Sequence, residues 1–147
     1  FPLSRTVGLW SESWRAAEEW LGQAERRLKE LAPRVRRGGD YDAWDLEARL
    51  GFLGAARLTL ALEEHGAGRQ MLRFRARPRW LLSRWVPLLA LAGASFWALL
   101  EGGWIAGGVL GALALAGTAA GLHDNGAALA AALDCIAGLP GAKMVKR

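Results

Sequence analysis

The sequence predicts an α+β protein: a small α-β-β-β two-layer domain, then an apolar helical hairpin, then a short C-terminal helix. Three observations carry this. The apolar residues recur at a helical period over 10–31, and at a strand period over 43–77. From residue 81 onward, two stretches close to the ~20 residues that span a bilayer core are almost free of charge. The implied division is 1–79 for a cytoplasmic domain, 80–122 for a transmembrane hairpin and 123–147 for an interfacial helix with a basic tail.

In the first element Trp10, Trp14, Ala17, Leu21, Ala24, Leu28 and Leu31 alternate in steps of four and three, which places them on one helical stripe. Glu18, Glu19, Glu25, Arg26, Arg27 and Lys29 mostly take the other face. Ser11 or Ser13 can cap the start, and Pro33 ends the helix. A coiled coil would show the same spacing but needs more than the three or so heptads available. A helix laid on its own domain's sheet is therefore expected.

Three strands follow. Trp44, Leu46, Ala48 and Leu50 alternate with Asp45, Glu47 and Arg49; Leu58, Leu60 and Leu62 alternate with Arg57, Thr59 and Ala61. Leu72, Phe74 and Ala76 alternate with Arg73, Arg75 and Arg77. The glycine-bearing links "GFLGA" and "HGAG" are short enough for hairpins, so the strands form an antiparallel meander. A short extra strand at Arg34–Arg37 can precede them.

Beyond Pro78 the pattern is that of a membrane. Over 81–100 the only charge is Arg84, which can snorkel to the interface, and 104–122 has none. Trp80, Trp85 and Trp104 fall where an aromatic belt would sit. The link Glu101-Gly102-Gly103 is too short to hold a domain, so both flanks share one side. Arg73, Arg75, Arg77, Arg79 and Arg84 before the hairpin, and Lys143, Lys146 and Arg147 after it, make that side cytoplasmic by the positive-inside rule. In the second span Gly107 and Gly111, and Gly117 and Gly121, have the spacing that lets helix backbones approach closely. They mark either a docking face for other membrane helices or simply a Gly/Ala-rich stretch. "HDNG" (123–126) is expected to turn the chain into a weakly amphipathic helix that Gly138 and Pro140 end.

The net charge of +5 and pI near 10.3 point to an anionic partner. Because the arginines crowd into 69–84, beside the apolar region, that partner is anionic lipid rather than nucleic acid. Chemistry is harder to find. Asp40 and Asp42 have the spacing of a metal-binding DxD, but a basic stretch and a glycine turn precede them instead of a buried strand. They read as a turn. His65, flanked by Glu63 and Glu64, lacks the three or four converging ligands a metal needs. Cys135, the single cysteine, can form no internal disulfide and has no activating base nearby. No phosphate-binding loop or nucleophile elbow is present. No catalytic residue and no cofactor is assigned. The chain begins with Phe and shows no secretory signal, so it reads as a piece of a longer protein.

Taken together, "FPLSRTVGLWSESW", "RRGGDYDAWDLEARLGFLGAARLTLALEEHGAGRQMLRFRARPR" and the apolar hairpin resemble the C-terminal extension of large bacterial family-2 glycosyltransferases. The resemblance implies a membrane-bound parent that uses nucleotide-activated sugars, with a divalent metal and the catalytic residues in a separate domain. It implies no catalytic position here: neither Arg79-Trp80 nor Arg84-Trp85 is preceded by the glutamine of the Gln-x-x-Arg-Trp motif. A non-enzymatic membrane assembly protein, or a transporter's accessory subunit, is the rival expectation.

Overall fold

The computed structural model describes residues 4–80 and 82–145, without the side chains of residues 80 and 82–84. The interfacial roles expected of Trp80 and Arg84, and those of Lys146 and Arg147, fall outside the described residues and side chains. The fold is α+β. Strands β1 (Arg5–Ser11), β2 (Arg34–Arg37), β3 (Leu46–Arg49), β4 (Gly54–Glu64), β5 (Gln70–Trp80) and β6 (Lys143–Met144) form one sheet in the order β2-β3-β4-β5-β1-β6. Every neighbouring pair is antiparallel. The helices are α1 (Ala17–Leu31), α2 (Leu82–Leu100) and α3 (Trp104–Ala137).

The first correction concerns residues 5–14. Trp10 and Trp14 were expected on the first helix, but Arg5–Ser11 is a strand beside β5, with Val7 opposite Phe74 and Leu9 opposite Leu72. The period of two in Val7, Leu9 and Ser11 overrides the helical stripe, because an open strand edge on β5 offers that segment a full ladder. Ser11 and Ser13 do not cap α1. The Ser11 hydroxyl instead donates to the Ser13 carbonyl at 2.8 Å where the chain leaves the sheet. Helix α1 begins after Ala16 with Glu18 and Glu19 in its first turn, where the helix dipole favours acids. Its buried stripe is Trp20, Leu21, Ala24 and Leu28. The fully buried Trp20 indole donates to Gln70 Oε1 at 3.0 Å, and the Gln70 amide donates to Arg15 O at 3.0 Å, so these buried polar groups are satisfied.

Strand β3 departs from simple alternation. Leu46 pairs with Leu58, yet the Asp45 N–H also donates to Leu58 O at 2.9 Å, so two residues face one. This bulge turns Trp44 away from Leu46 and Ala48, with which it was expected to share a face. Its ring lies instead under the Arg57 guanidinium, 4.8 Å from the ring centroid. Strands β4 and β5 are joined by a tight turn in which Gly66, Ala67 and Gly68 all have positive φ.

The second correction is the C-terminal half. No turn occurs at 123–126: α3 is one helix of 34 residues, about 51 Å long at 1.5 Å per residue. The separate interfacial helix expected over 123–147 is its second half. Ala128, Ala132, Cys135 and Ile136 are buried in the same core as Leu9, Trp20, Leu28, Leu58 and Phe74. Helices α1 and the end of α3 thus lie side by side on one face of the sheet, with the Cys135 thiol donating to Ala24 O at 3.3 Å. The residues that suggested a turn serve the packing. The Asp124 carboxylate accepts the Leu53 N–H at 3.1 Å, which ties the β3–β4 connection to the helix. Gly138 ends the helix, its N–H donating to Asp134 O, and Pro140 and Gly141 lead the chain to β6.

Gly51 and Gly54, which looked like ordinary hairpin residues, are where this connection presses on α3. A Cβ on Gly51 would meet the Asp124 carboxylate, and one on Gly54 would lie 2.5 Å from the Asn125 backbone nitrogen. Backbone cannot swing aside as a side chain can. Gly54→Ala is therefore expected to lower stability by about 2–3 kcal/mol, as read from equilibrium denaturation; no change would mean the contact is looser than described.

An arginine-lined sheet face as candidate functional site

Helices cover only one face of the sheet. The other is set by alternate residues of the strands: Arg34 and Arg36 on β2, Glu47 and Arg49 on β3, Arg57, Thr59, Ala61 and Glu63 on β4, and Arg73, Arg75, Arg77 and Arg79 on β5. Ala55 on β4, Met71 on β5, and Thr6, Gly8 and Trp10 on β1 also belong to it. Eight arginines and two glutamates share that surface.

Its structural hub is Glu47, whose side chain is fully buried. Oε1 accepts from Arg49 Nε at 2.8 Å, and Oε2 accepts from Arg57 Nε at 2.9 Å and Arg79 Nη1 at 2.5 Å. Burial pushes the Glu47 carboxyl pKa up, but the hydrogen bonds from Arg57, Arg49 and Arg79 outweigh it and leave the group below its ordinary value. Glu47 thereby holds β3, β4 and β5 together across the face. In the sequence it is only one of the polar residues alternating along a strand; its central position appears only once the register brings three arginines onto one carboxylate.

Away from this hub the arginines are freer. Arg75 has Thr59 on one side and Thr6 on the other, directly across the ladder. Arg73, Arg75 and Arg77 are all exposed; Arg73 pairs with Glu63 at 3.2 Å, while no ion pair engages Arg75 or Arg77 among the described residues. With Thr6, Thr59, Ala43 and Ala61 they line a cleft of about 350 Å³. Thr6 went unnoticed in the sequence because its segment read as the approach to a helix.

Asp40 and Asp42 lie in a turn. The Asp42 carboxylate accepts the Gly39 N–H at 2.9 Å, and the Asp42 N–H donates back to Gly39 O at 2.9 Å. Among the described residues no three His, Cys, Asp or Glu side chains are grouped to hold a metal ion. His65 Nδ1 sits 3.1 Å from Glu63 O, and its ring packs edge-on against Trp10. Cys135 is inside the core.

Gly107, Gly111, Gly117 and Gly121 face α2 of the same chain. A Cβ on Gly107 would lie 2.6 Å from Leu99, on Gly111 3.0 Å from the Ser95 hydroxyl, and on Gly121 2.8 Å from the Trp85 ring; on Gly117 it would overlap Leu88. Ser95 Oγ donates to Gly107 O at 2.7 Å across this contact. Together these contacts run α2 antiparallel to the first half of α3. Glu101, in the link between them, accepts the Trp97 indole N–H at 3.0 Å. By length and composition α3 can cross a membrane, whereas the apolar run of α2, Trp85–Leu100, is shorter.

Compared with protein-family models, with curated proteins and with solved structures, the chain matches none.

Proposed function

We propose that the chain is a membrane-anchored, non-catalytic accessory region, and that its α+β domain lies at the cytoplasmic surface of a bacterial inner membrane. The supporting observation is the apolar surface of the helix pair. Leu89, Phe96, Trp97, Trp104, Ile105 and Leu115 are each more than 60% exposed, though all lie on apolar helices. Water-soluble monomers seldom expose contiguous apolar patches of more than a few hundred Å². Lipid tails would cover this one without a change of fold. The charge distribution agrees: exposed Arg34 lies at the end of the sheet from which α2 leaves, beside Arg49 and Arg79 that are held on Glu47, and anionic headgroups attract a basic residue there by about 1 kcal/mol.

The resemblance to family-2 glycosyltransferases supplies the parent in this proposal: an enzyme transferring sugar from a nucleotide-sugar donor, with any divalent metal in its catalytic domain. Lipid and that domain are the proposed partners. Two experiments test the two parts. Since Trp80 is opposite Gly54 and Gly54 touches Asn125, a short Gly-Ser linker can replace 82–120 and leave the sheet intact. The full chain is expected to float with liposomes after a high-salt wash, and the excised form to stay in solution. A full chain that is monomeric and soluble without detergent would sink the membrane reading. For the parent, transferase activity in native membranes is expected to fall but persist when this region is removed. A parent inactive with every nucleotide-sugar would favour a membrane assembly protein or transporter accessory.

A further inference from the structure

We propose that the cleft formed by Thr6, Thr59, Arg73, Arg75 and Arg77 on the open sheet face binds the phosphate groups of a water-soluble ligand. Three features support this. First, Arg73, Arg75 and Arg77 project from alternate positions of one strand, and β5 is paired on both sides, so their spacing is fixed before any ligand arrives. Guanidinium forks match the oxygens of a phosphate, and the hydroxyls of Thr6 and Thr59, on either side of Arg75, add donors at the centre. Second, the charge is unspent. Glu47 occupies Arg49, Arg57 and Arg79, and Glu63 takes Arg73, which leaves Arg75 and Arg77 without an acid among the described residues. Asp45, the other acid nearby, accepts the Leu60 N–H at 2.6 Å. Third, the cleft of about 350 Å³ is at the small end of ligand sites, and none of its lining residues is aromatic. A protein partner would look for a desolvated aromatic anchor at such a centre.

Lipid headgroups are a poor match for the centre and far end of this cleft. Arg75 and Arg73 are four and six residues along β5 from Arg79, so they stand about 14 and 20 Å from the base of the sheet at ~3.4 Å per residue, and only Arg77, about 7 Å from it, is within reach of a headgroup. Screening at physiological salt acts over about 8 Å. That exclusion of lipid rests on the membrane reading above. The cleft itself does not, and the test below is done in detergent, where failure of one does not imply failure of the other.

The full chain in neutral detergent micelles would be titrated with pyrophosphate and with inorganic phosphate in calorimetry at physiological salt. Saturable binding is expected, tighter for pyrophosphate. Arg75→Gln, at an exposed and unpaired position, should weaken it roughly tenfold, and Thr6→Val by a smaller factor. Arg34→Gln, at the far edge of the sheet, should leave it unchanged. No saturable binding would overturn the proposal. So would equal losses in Arg34→Gln and Arg75→Gln, which would reveal a diffuse field rather than a site. Binding of poly-glutamate that depends on Arg75 and that pyrophosphate cannot displace would also overturn it, in favour of an acidic protein partner.

Discussion

Gly126→Pro is expected to cost about 3 kcal/mol or more, a large share of the roughly 5–15 kcal/mol that holds a domain folded. Gly126→Ala should do the reverse and stabilise by about 0.5–1 kcal/mol. The pair is informative because of where Gly126 lies. It is in the middle of α3, beside Asp124 and Asn125, and a Cβ there would meet nothing within 4 Å. Alanine thus gains helix propensity without a clash. Proline removes a backbone donor and strikes the preceding turn, at the point where the apolar half of the helix becomes the half that packs on the sheet. Denaturation followed by the near-ultraviolet signal of the buried tryptophans, Trp20 and Trp44 among them, would measure both. A neutral Gly126→Pro would mean that the chain turns at 123–126 after all. The continuity matters for function: a single helix that forms part of the domain core and also carries the apolar surface couples the two rigidly, whereas a turn would let them swing.

Glu47→Gln is expected to cost about 2–4 kcal/mol, since it leaves Arg49, Arg57 and Arg79 crowded together without the carboxylate that holds them. The same group sets a pH dependence. Its pKa is lower folded than unfolded, so its contribution is fully present above the unfolded value of about 4.3 and is lost as pH falls through the folded value. Wild-type stability should therefore decline below about pH 4.5, and the Glu47→Gln variant should show a shallower decline over the same range. Parallel profiles for the two would show that other carboxylates carry the acid sensitivity. The variant also bears on the proposed phosphate cleft: freed arginines would raise anion attraction across the face without building a site.

Much of the architecture was legible from local pattern. The strand at Arg34–Arg37, the two long strands, the "HGAG" turn and the start of the apolar helices follow from alternation and glycine placement, which neighbouring residues enforce on one another. Arg73, Arg75 and Arg77 could be assigned to one strand face on the same ground. What could not be read locally is of another kind. Trp10 fits the helical stripe that continues to Leu31, while Val7, Leu9 and Ser11 fit a strand period, and only the free edge of β5 decides between them. "HDNG" has turn composition, yet Asp124 uses its carboxylate on Leu53 and Asn125 packs against Gly54, partners some seventy residues away.

By itself, then, the sequence determined that this is an α+β protein with an arginine-bearing sheet face and two apolar helices, because period and charge are properties of adjacent residues. Tertiary structure decided that β1 completes the sheet and that α3 runs unbroken from the apolar helix pair into the core. It also decided that Glu47 gathers three arginines while Arg75 and Arg77 keep their charge free. Those outcomes depend on which distant segments meet, and burial and hydrogen bonding choose among the meetings only when the whole chain has folded.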